Sequence, residues 1–236
     1  MITEAIVLAG GLGTRLQTVV KETPKSLAPI EGKPFLAYLL DYAKNQGIER
    51  FVFALGYKAE LIESFARKYL RESKYAFSIE KEPLGTGGAI YRACNQVASE
   101  NAIVLNADTF FGIQYAQLAE LHEQQKSVCT LALKRMNAFD RYGSVNINDK
   151  NIITGFSEKK YQASGYINGG VYALSVEPFL QKSFPDSFSF EKEYLEKEFV
   201  TENFPGLVSD AYFIDIGVPE DYQRAQKELP KAIISY

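Results

Sequence analysis

The sequence predicts an α/β fold in a single domain, a mixed, mostly parallel central sheet flanked by helices. Two observations carry this expectation. Short, continuous apolar runs alternate with amphipathic helical patterns, as strands buried on both faces do when helices separate them. In addition, 236 residues can bury about 70–75% of the unfolded surface without disulfide or metal staples. No repeat, low-complexity tract or linker divides the chain, so residues 1–236 read as one domain.

The elements follow in order. Residues 5–9, 51–55 and 102–106 are the continuous apolar strands. Residues 34–46 place Phe35, Leu36, Leu39, Leu40 and Ala43 on one helical face, with Gly47 as the cap. Residues 59–70 gather Ile62, Phe65, Ala66 and Tyr69 and pair Glu63 with Arg67 one turn apart. Residues 87–98 read as a third helix. Beyond about residue 110 the pattern loosens into a helix at 114–125, a strand at 128–133 and a hairpin of 144–148 with 152–158. Further strands are expected at 166–175 and 211–216. Helices are expected at 191–200 and at 219–229, the latter with Pro219 in its first position.

Charge and composition narrow the function. Lys plus Arg number 26 against 29 Asp plus Glu, a net charge of −3. That balance offers no basic footprint for nucleic acid and no polybasic membrane anchor. An anionic substrate must therefore be met by a few placed cations. Cys94 and Cys129 have neither metal-site spacing nor a disulfide framework. The single histidine, His122, reads as a solvated helix residue, which leaves histidine-dependent catalysis without a base. No apolar stretch reaches the ~18 residues of a spanning helix. The N-terminus lacks the basic start and cleavage site of a signal peptide, so a cytoplasmic location is expected.

Gly10-Gly11-Leu12-Gly13-Thr14-Arg15-Leu16 follows the first strand. Its glycines let backbone N–H groups approach an anion closely. The loop matches neither common nucleotide fingerprint: Leu16 replaces the third glycine of G-x-G-x-x-G, and no G-K-[ST] is present. On glycines alone, a plain strand-to-helix turn is the alternative. Arg15 and Lys25 shift the balance. Pro24 fixes the backbone before Lys25, and a forked guanidinium with a point-charge ammonium suits a polyphosphate.

With Pro24-Lys25, this loop resembles the signature of the sugar-1-phosphate nucleotidylyltransferases, the NDP-sugar pyrophosphorylases. Later segments extend the resemblance over nearly the whole chain: Pro83-Leu84-Gly85-Thr86-Gly87-Gly88, Asn106-Ala107-Asp108, Phe156-Ser157-Glu158-Lys159, Asn168-Gly169-Gly170-Val171-Tyr172 and Asp215-Ile216-Gly217-Val218-Pro219-Glu220-Asp221-Tyr222. Phe139-Asp140-Arg141-Tyr142-Gly143 and Phe188-Ser189-Phe190-Glu191-Lys192 are most similar to the branch acting on D-glycero-D-manno-heptose 1-phosphate with GTP.

The resemblance implies a Rossmann-like nucleotidyltransferase fold, with a nucleotide-binding half at about 1–110 and a sugar-phosphate-binding half at about 111–236. No C-terminal β-helix domain is expected. It implies in-line attack of a sugar 1-phosphate on the α-phosphorus of a triphosphate, with pyrophosphate leaving. Such chemistry depends on positioning and charge neutralisation. Arg15 and Lys25 would be catalytic. Leu8, Ala9, Gly10, Gly11, Gly13, Thr14, Glu80, Pro83, Gly85 and Thr86 would bind the nucleotide. Asn106, Gly143, Glu158, Lys159 and Asn168 would bind the sugar phosphate, and Asp108 with Asp215 would hold Mg²⁺. Glu80 stands where many uridylyl and thymidylyl relatives carry an amide. A carboxylate there would accept from the adjacent N1–H and N2–H₂ donors of guanine, although Glu80 pairing with a cation is the alternative. The sequence departs from the family at Ala107, usually glycine, and at Lys160, often proline.

The implied partners are GTP, or another triphosphate, and a sugar 1-phosphate bound for surface-glycan synthesis. The 15 Tyr and 16 Phe leave aromatic surface for a homodimer as well as for the core. Within the family, mannose 1-phosphate guanylyl transfer and thymidylyl or uridylyl transfer are the alternatives. Outside it stand a glycosyltransferase, for which Asn106-Ala107-Asp108 keeps only the second aspartate of the usual pair, and a non-catalytic nucleotide-sugar-binding protein.

Overall fold

The computed structural model describes residues 1–11 and 23–234. The chain runs through β1 (Glu4–Leu8), β2 (Pro29–Ile30), β3 (Lys33–Pro34), α1 (Phe35–Asn45), β4 (Arg50–Leu55), α2 (Ala59–Tyr69), β5 (Lys74–Ile79), α3 (Gly85–Cys94) and β6 (Asn101–Asn106). There follow β7 (Thr109–Phe111), α4 (Tyr115–Gln125), β8 (Cys129–Phe139), β9 (Ser144–Ile147), β10 (Ile153–Ser157), β11 (Gln162–Ser175) and α5 (Val176–Leu180). A π-helical turn at Phe190–Leu195 leads into α6 (Glu196–Glu198), then β12 (Gly206–Ser209), β13 (Phe213–Asp215) and α7 (Pro219–Ile234).

β6, β1, β4 and β5 lie side by side and parallel. β11 joins the free side of β6 in antiparallel fashion and recruits β8 and β9, with β10 and β12 beyond them. The sheet is thus mixed, with the parallel block in the N-terminal part, as expected. Alternate residues of the central strands face opposite ways. Ala5, Val7, Phe51, Phe53, Ile103 and Leu105 join α1 and α2 in one core. Ile6, Val52, Ala54, Ala102 and Val104 join Ile90 and Ala93 of α3 in the other. Burial on both faces is why these strands read as continuous apolar runs.

Local details also follow the sequence. α1 closes as a Schellman motif: Gly47 has φ +90°, its N–H donates to Lys44 O at 3.0 Å, and Ile48 N–H donates to Ala43 O at 3.0 Å. Glu63 and Arg67 pair at 3.2 Å. Both cysteines are free and buried. Among the described residues no helix is long and apolar enough to cross a membrane.

Several expectations need correction. α3 begins at Gly85 and ends at Cys94 instead of spanning 87–98. Both oxygens of Glu4 accept the Ala98 N–H, at 3.2 and 3.1 Å, and direct the chain into β6. The helix expected at 191–200 opens as a π turn, whose spacing keeps Phe190, Tyr194 and Leu195 all buried. The strand expected at 211–216 is β13, which pairs with β7 in a separate two-stranded ladder rather than in the main sheet. His122 is not solvated but 2% exposed. Its Nδ1 lies 2.9 Å from Thr130 Oγ1 and its Nε2 lies 2.9 Å from Ser175 Oγ. Three strands, β6, β8 and β11, end or begin around it, at the edge of the sheet opposite the crevice described next.

Candidate active site

β1 has β4 on one side and β6 on the other, so the helical connections leave it in opposite directions. Such a switch point opens a crevice at the carboxyl ends of the strands. Leu8, Gly56, Glu80 and Asn106 sit at or just beyond the ends of β1, β4, β5 and β6. All four line a cavity of about 560 Å³ there. Of the residues expected at the nucleotide, Leu8, Gly10, Gly11, Glu80, Pro83, Gly85 and Thr86 line it too, and so does Asp108. Ala9 is buried instead, its N–H tying β1 to Ala54 O at 2.9 Å. Gly13, Thr14 and Arg15 lie outside the described residues.

At one end of the cavity two carboxylates meet one ammonium. After β6 the chain turns through Ala107 and Asp108 into β7. In the ladder of β7 with β13, Thr109 stands opposite Asp215, and Ile216 N–H donates to Asp108 O at 3.0 Å. This short ladder brings together two aspartates far apart in sequence. Lys25 opens a 3₁₀ turn immediately after Pro24 (φ −51°). Its Nζ lies 2.5 Å from Asp108 Oδ2 and 3.9 Å from Asp215 Oδ1. Burial pushes the Asp215 carboxyl above the ordinary range and the Asp108 charge adds to this, while Lys25 and the Gly217 N–H, 2.7 Å from Oδ1, oppose it. Ala107 is 2% exposed and is not among the residues lining the cavity.

At the other end stands Glu80. Its Oε2 accepts the Leu84 N–H at 3.1 Å. Its Oε1 rests against Gly56, where a Cβ would come within 2.3 Å of it. Burial raises the Glu80 carboxyl, and the Leu84 N–H and the Arg92 charge partly offset the rise. Glu80 therefore sits over a glycine with one oxygen held by backbone, while Gly10 approaches the same Oε1.

The expected sugar-phosphate residues divide. Asn106 lines the cavity and packs against Gly170, whose φ of +69° and missing Cβ make room for it. Asn168 sits at the irregularity where β11 shifts register against β8. It donates to the Tyr172 hydroxyl at 2.7 Å and accepts the Gly170 N–H at 3.1 Å, so it shapes the bulge beside Asn106. Gly143 lies just before β9 against Ser157 O, where a Cβ would come within 2.8 Å. Its neighbour Tyr142 packs on Phe213 of β13. Glu158 and Lys159 are exposed beyond β10 and are not among the residues lining the cavity.

The sequence reading did not single out Gly56 and Tyr57, which form part of the cavity wall. The available signal was a glycine immediately after an apolar parallel strand, the position where a backbone comes close to a ligand. Gly85 and Gly87 have in addition a packing role that the sequence does not show. A Cβ at Gly85 would lie 2.4 Å from Phe188 O, and one at Gly87 would lie 2.2 Å from the Phe188 ring.

Comparisons with known proteins agree with this geometry. The family model described as nucleotidyl transferase matches residues 4–232. The chain is 48% identical over 226 residues to a D-glycero-alpha-D-manno-heptose 1-phosphate guanylyltransferase of Aneurinibacillus thermoaerophilus, covering 96% of this chain and 98% of the relative. It is 46% identical to the Campylobacter jejuni protein of the same name, covering 93% and 96%. The crystal structure of HddC from Yersinia pseudotuberculosis complexed with GMP-PN superposes with a TM-score of 0.86 at 39% identity, covering 96% of this chain and 99% of that one.

Proposed function

Because the chain belongs to the nucleotidyl transferase family, we propose that it transfers a guanylyl group from GTP to D-glycero-α-D-manno-heptose 1-phosphate. GDP-heptose and pyrophosphate are the products. A phosphate oxygen of the sugar attacks the α-phosphorus in line, and the bond from the α-phosphorus to the bridging oxygen breaks. The observation that carries this reading is the polarity of one cavity. Glu80 stands at one end, and Asp108, joined to Lys25 and Asp215, stands at the other. A guanine base with adjacent N–H donors suits the first end, and a polyphosphate suits the second. The names of the two similar bacterial proteins support the same substrates.

In this mechanism Lys25 offsets charge building on the α-phosphoryl group and on the departing pyrophosphate, with Arg15 in the same role. The backbone of Gly10 and Gly11 approaches the nucleotide. We assign Asn106, Gly143, Asn168, Glu158 and Lys159 to the sugar phosphate, with the nucleotide-binding half at about residues 1–110 and the sugar-phosphate-binding half, Asn106 apart, at about 111–236. Asp108 and Asp215 fit a divalent cation: both are hard oxygen donors, and both lie within ion-pair reach of one ammonium. We take the ion to be Mg²⁺, which Asp108 and Asp215 would hold and which would supply positive charge to offset that of the phosphates. A cytoplasmic location agrees with substrates of this kind.

The test is a matrix of triphosphates against sugar 1-phosphates, read by pyrophosphate release. GTP with the heptose 1-phosphate gives the highest kcat/KM. Faster turnover with UTP or dTTP overturns the base assignment, and faster turnover with mannose 1-phosphate overturns the sugar assignment.

A further inference from the structure

The loop Pro83–Gly88 has the glycines of a phosphate cradle, yet its polar groups face another part of the chain. Phe188 O accepts the Gly87 N–H at 2.9 Å and the Gly88 N–H at 3.4 Å. Phe188 N–H donates to Leu84 O at 2.9 Å. The Ser187 hydroxyl donates to Pro83 O at 3.2 Å. The Thr86 hydroxyl donates to Glu191 Oε2 at 2.7 Å and accepts the Phe190 N–H at 2.9 Å. Two first-turn amides of α3, those of Gly87 and Gly88, are thus already met by protein, and Gly85 and Gly87 are small because Phe188 fills the space beside them.

This clasp reaches the cavity through one residue. Both backbone groups of Leu84 are used: its carbonyl takes the Phe188 N–H, and its N–H is held by Glu80. Glu80 has no second place to rest on that side, because Gly56 and Gly10 are packed against its other oxygen. The position of the carboxylate at the base end is therefore set partly from residues 187–191, about 100 residues further along the chain. The segment has its own local support. Ser189 Oγ accepts the Lys192 N–H at 3.1 Å and donates to Glu191 Oε2 at 3.0 Å. Ser189 N–H is taken by Glu193 at 2.6 Å.

We infer that Glu191, through its hydrogen bond from Thr86, is a positioning residue for base selection: it holds the Pro83–Thr86 loop, and with it Glu80, in register for the purine edge. The inference rests on the reading of Glu80 as the group that meets guanine. It gives the Thr86 side chain, expected among the nucleotide-binding residues, the role of a tether, since its hydroxyl is already committed on both sides.

The test measures equilibrium binding of GTP, ITP and UTP by calorimetry on the full chain, because binding does not require the correct sugar phosphate. ITP lacks the N2 amino group and so reports whether that donor is still read. Glu191→Ala and Thr86→Val are expected to weaken GTP about five- to tenfold, the scale of one displaced charge-assisted hydrogen bond, to weaken ITP, which keeps N1–H, by less than GTP, and to change UTP by less than about twofold. Glu191→Gln and Thr86→Ser keep the acceptor and the hydroxyl and should bind GTP as the unaltered protein does. Thermal melting of every variant accompanies the binding data. Unchanged GTP affinity in Glu191→Ala and Thr86→Val overturns the inference. So does equal loss of all three nucleotides, or a Glu191→Gln variant as impaired as Glu191→Ala. Failure of the unaltered protein to turn over GTP with the heptose 1-phosphate counts against the proposed function, and preference of the unaltered protein for UTP counts against the role of Glu80.

Discussion

Acidification acts on this protein through its one histidine in a way that can be followed atom by atom. His122 is 2% exposed and hydrogen-bonded at both ring nitrogens. Ser175 Oγ also approaches Asn101 Oδ1 and Ser127 O, at 2.9 and 3.1 Å. If that hydroxyl donates to one of these, Nε2–H can donate to Ser175 while Nδ1 accepts from Thr130. This network holds one ring proton, and a second would reverse the Thr130 hydrogen bond and leave a charge on a buried ring. Burial lowers the imidazole from 6.5 to about 4, with the Glu123 charge opposing. The unfolded chain therefore binds this proton at a higher pH than the folded chain. The stability contributed is complete above about pH 6.5 and is lost as pH falls toward 4. At pH 5 the loss is about 2 kcal/mol relative to pH 7.5, which corresponds to about 4–8 °C in Tm for a chain of this size. Because the chain has a single histidine, the C2 proton in one-dimensional NMR reports the group without assignment; its midpoint in the folded protein should lie near 4. In denaturant titrations, the stability difference between the unaltered protein and His122→Gln should shrink by about 2 kcal/mol between pH 7.5 and 5. A C2 midpoint at 6 or above, or a difference independent of pH, refutes the reasoning.

Other predictions concern the crevice. Lys25→Ala and Asp108→Asn each lower turnover about a hundredfold or more in steady-state pyrophosphate release; unchanged rates in both would remove these two residues from the catalytic machinery, and no release from the unaltered protein would point to a non-catalytic nucleotide-sugar binder. Glu80→Gln places an amide where guanine offers donors and raises KM for GTP about tenfold or more, narrowing its advantage over UTP in the same assay. Gly56→Ala inserts a Cβ 2.3 Å from Glu80 Oε1, so the carboxylate must swing away. GTP KM then rises about fivefold with kcat maintained, and nucleotide titration at fixed sugar phosphate separates the two constants.

What could be read in the sequence follows from where each signal is written. β1, β4 and β6 announce themselves because both faces are buried, so no polar residue interrupts their cores. β5 is an edge strand whose residues are mostly half-buried or exposed, and Lys74-Tyr75-Ala76-Phe77-Ser78-Ile79 carries too mixed a pattern to stand out. β7 and β13 have three residues each, too few for any periodicity. Lys25, Asp108 and Asp215 were found by motif, and the structure adds why they meet. The misreading of His122 was avoidable. Leu118, Ala119 and His122 recur at the spacing of one helical face, and all three are buried; the charged neighbours Glu120 and Glu123 lie on the other side. The Thr86–Glu191 contact had no such signal, since it depends on a fold connecting residues 105 positions apart.

The short ladder of β7 with β13 also gives the site an order of arrival. At translation rates of about 5–20 residues per second, Asp108 leaves the ribosome several seconds or more before Asp215. Throughout that interval the first carboxylate has a counter-ion within the same nascent chain, because Lys25, which it meets at 2.5 Å in the finished fold, precedes it. A nascent chain can therefore complete its parallel strands with a neutral pair at their edge. The arrival of Asp215 turns that pair into a cluster with a net negative charge, fitted to draw in a cation only once both halves of the ladder have been made.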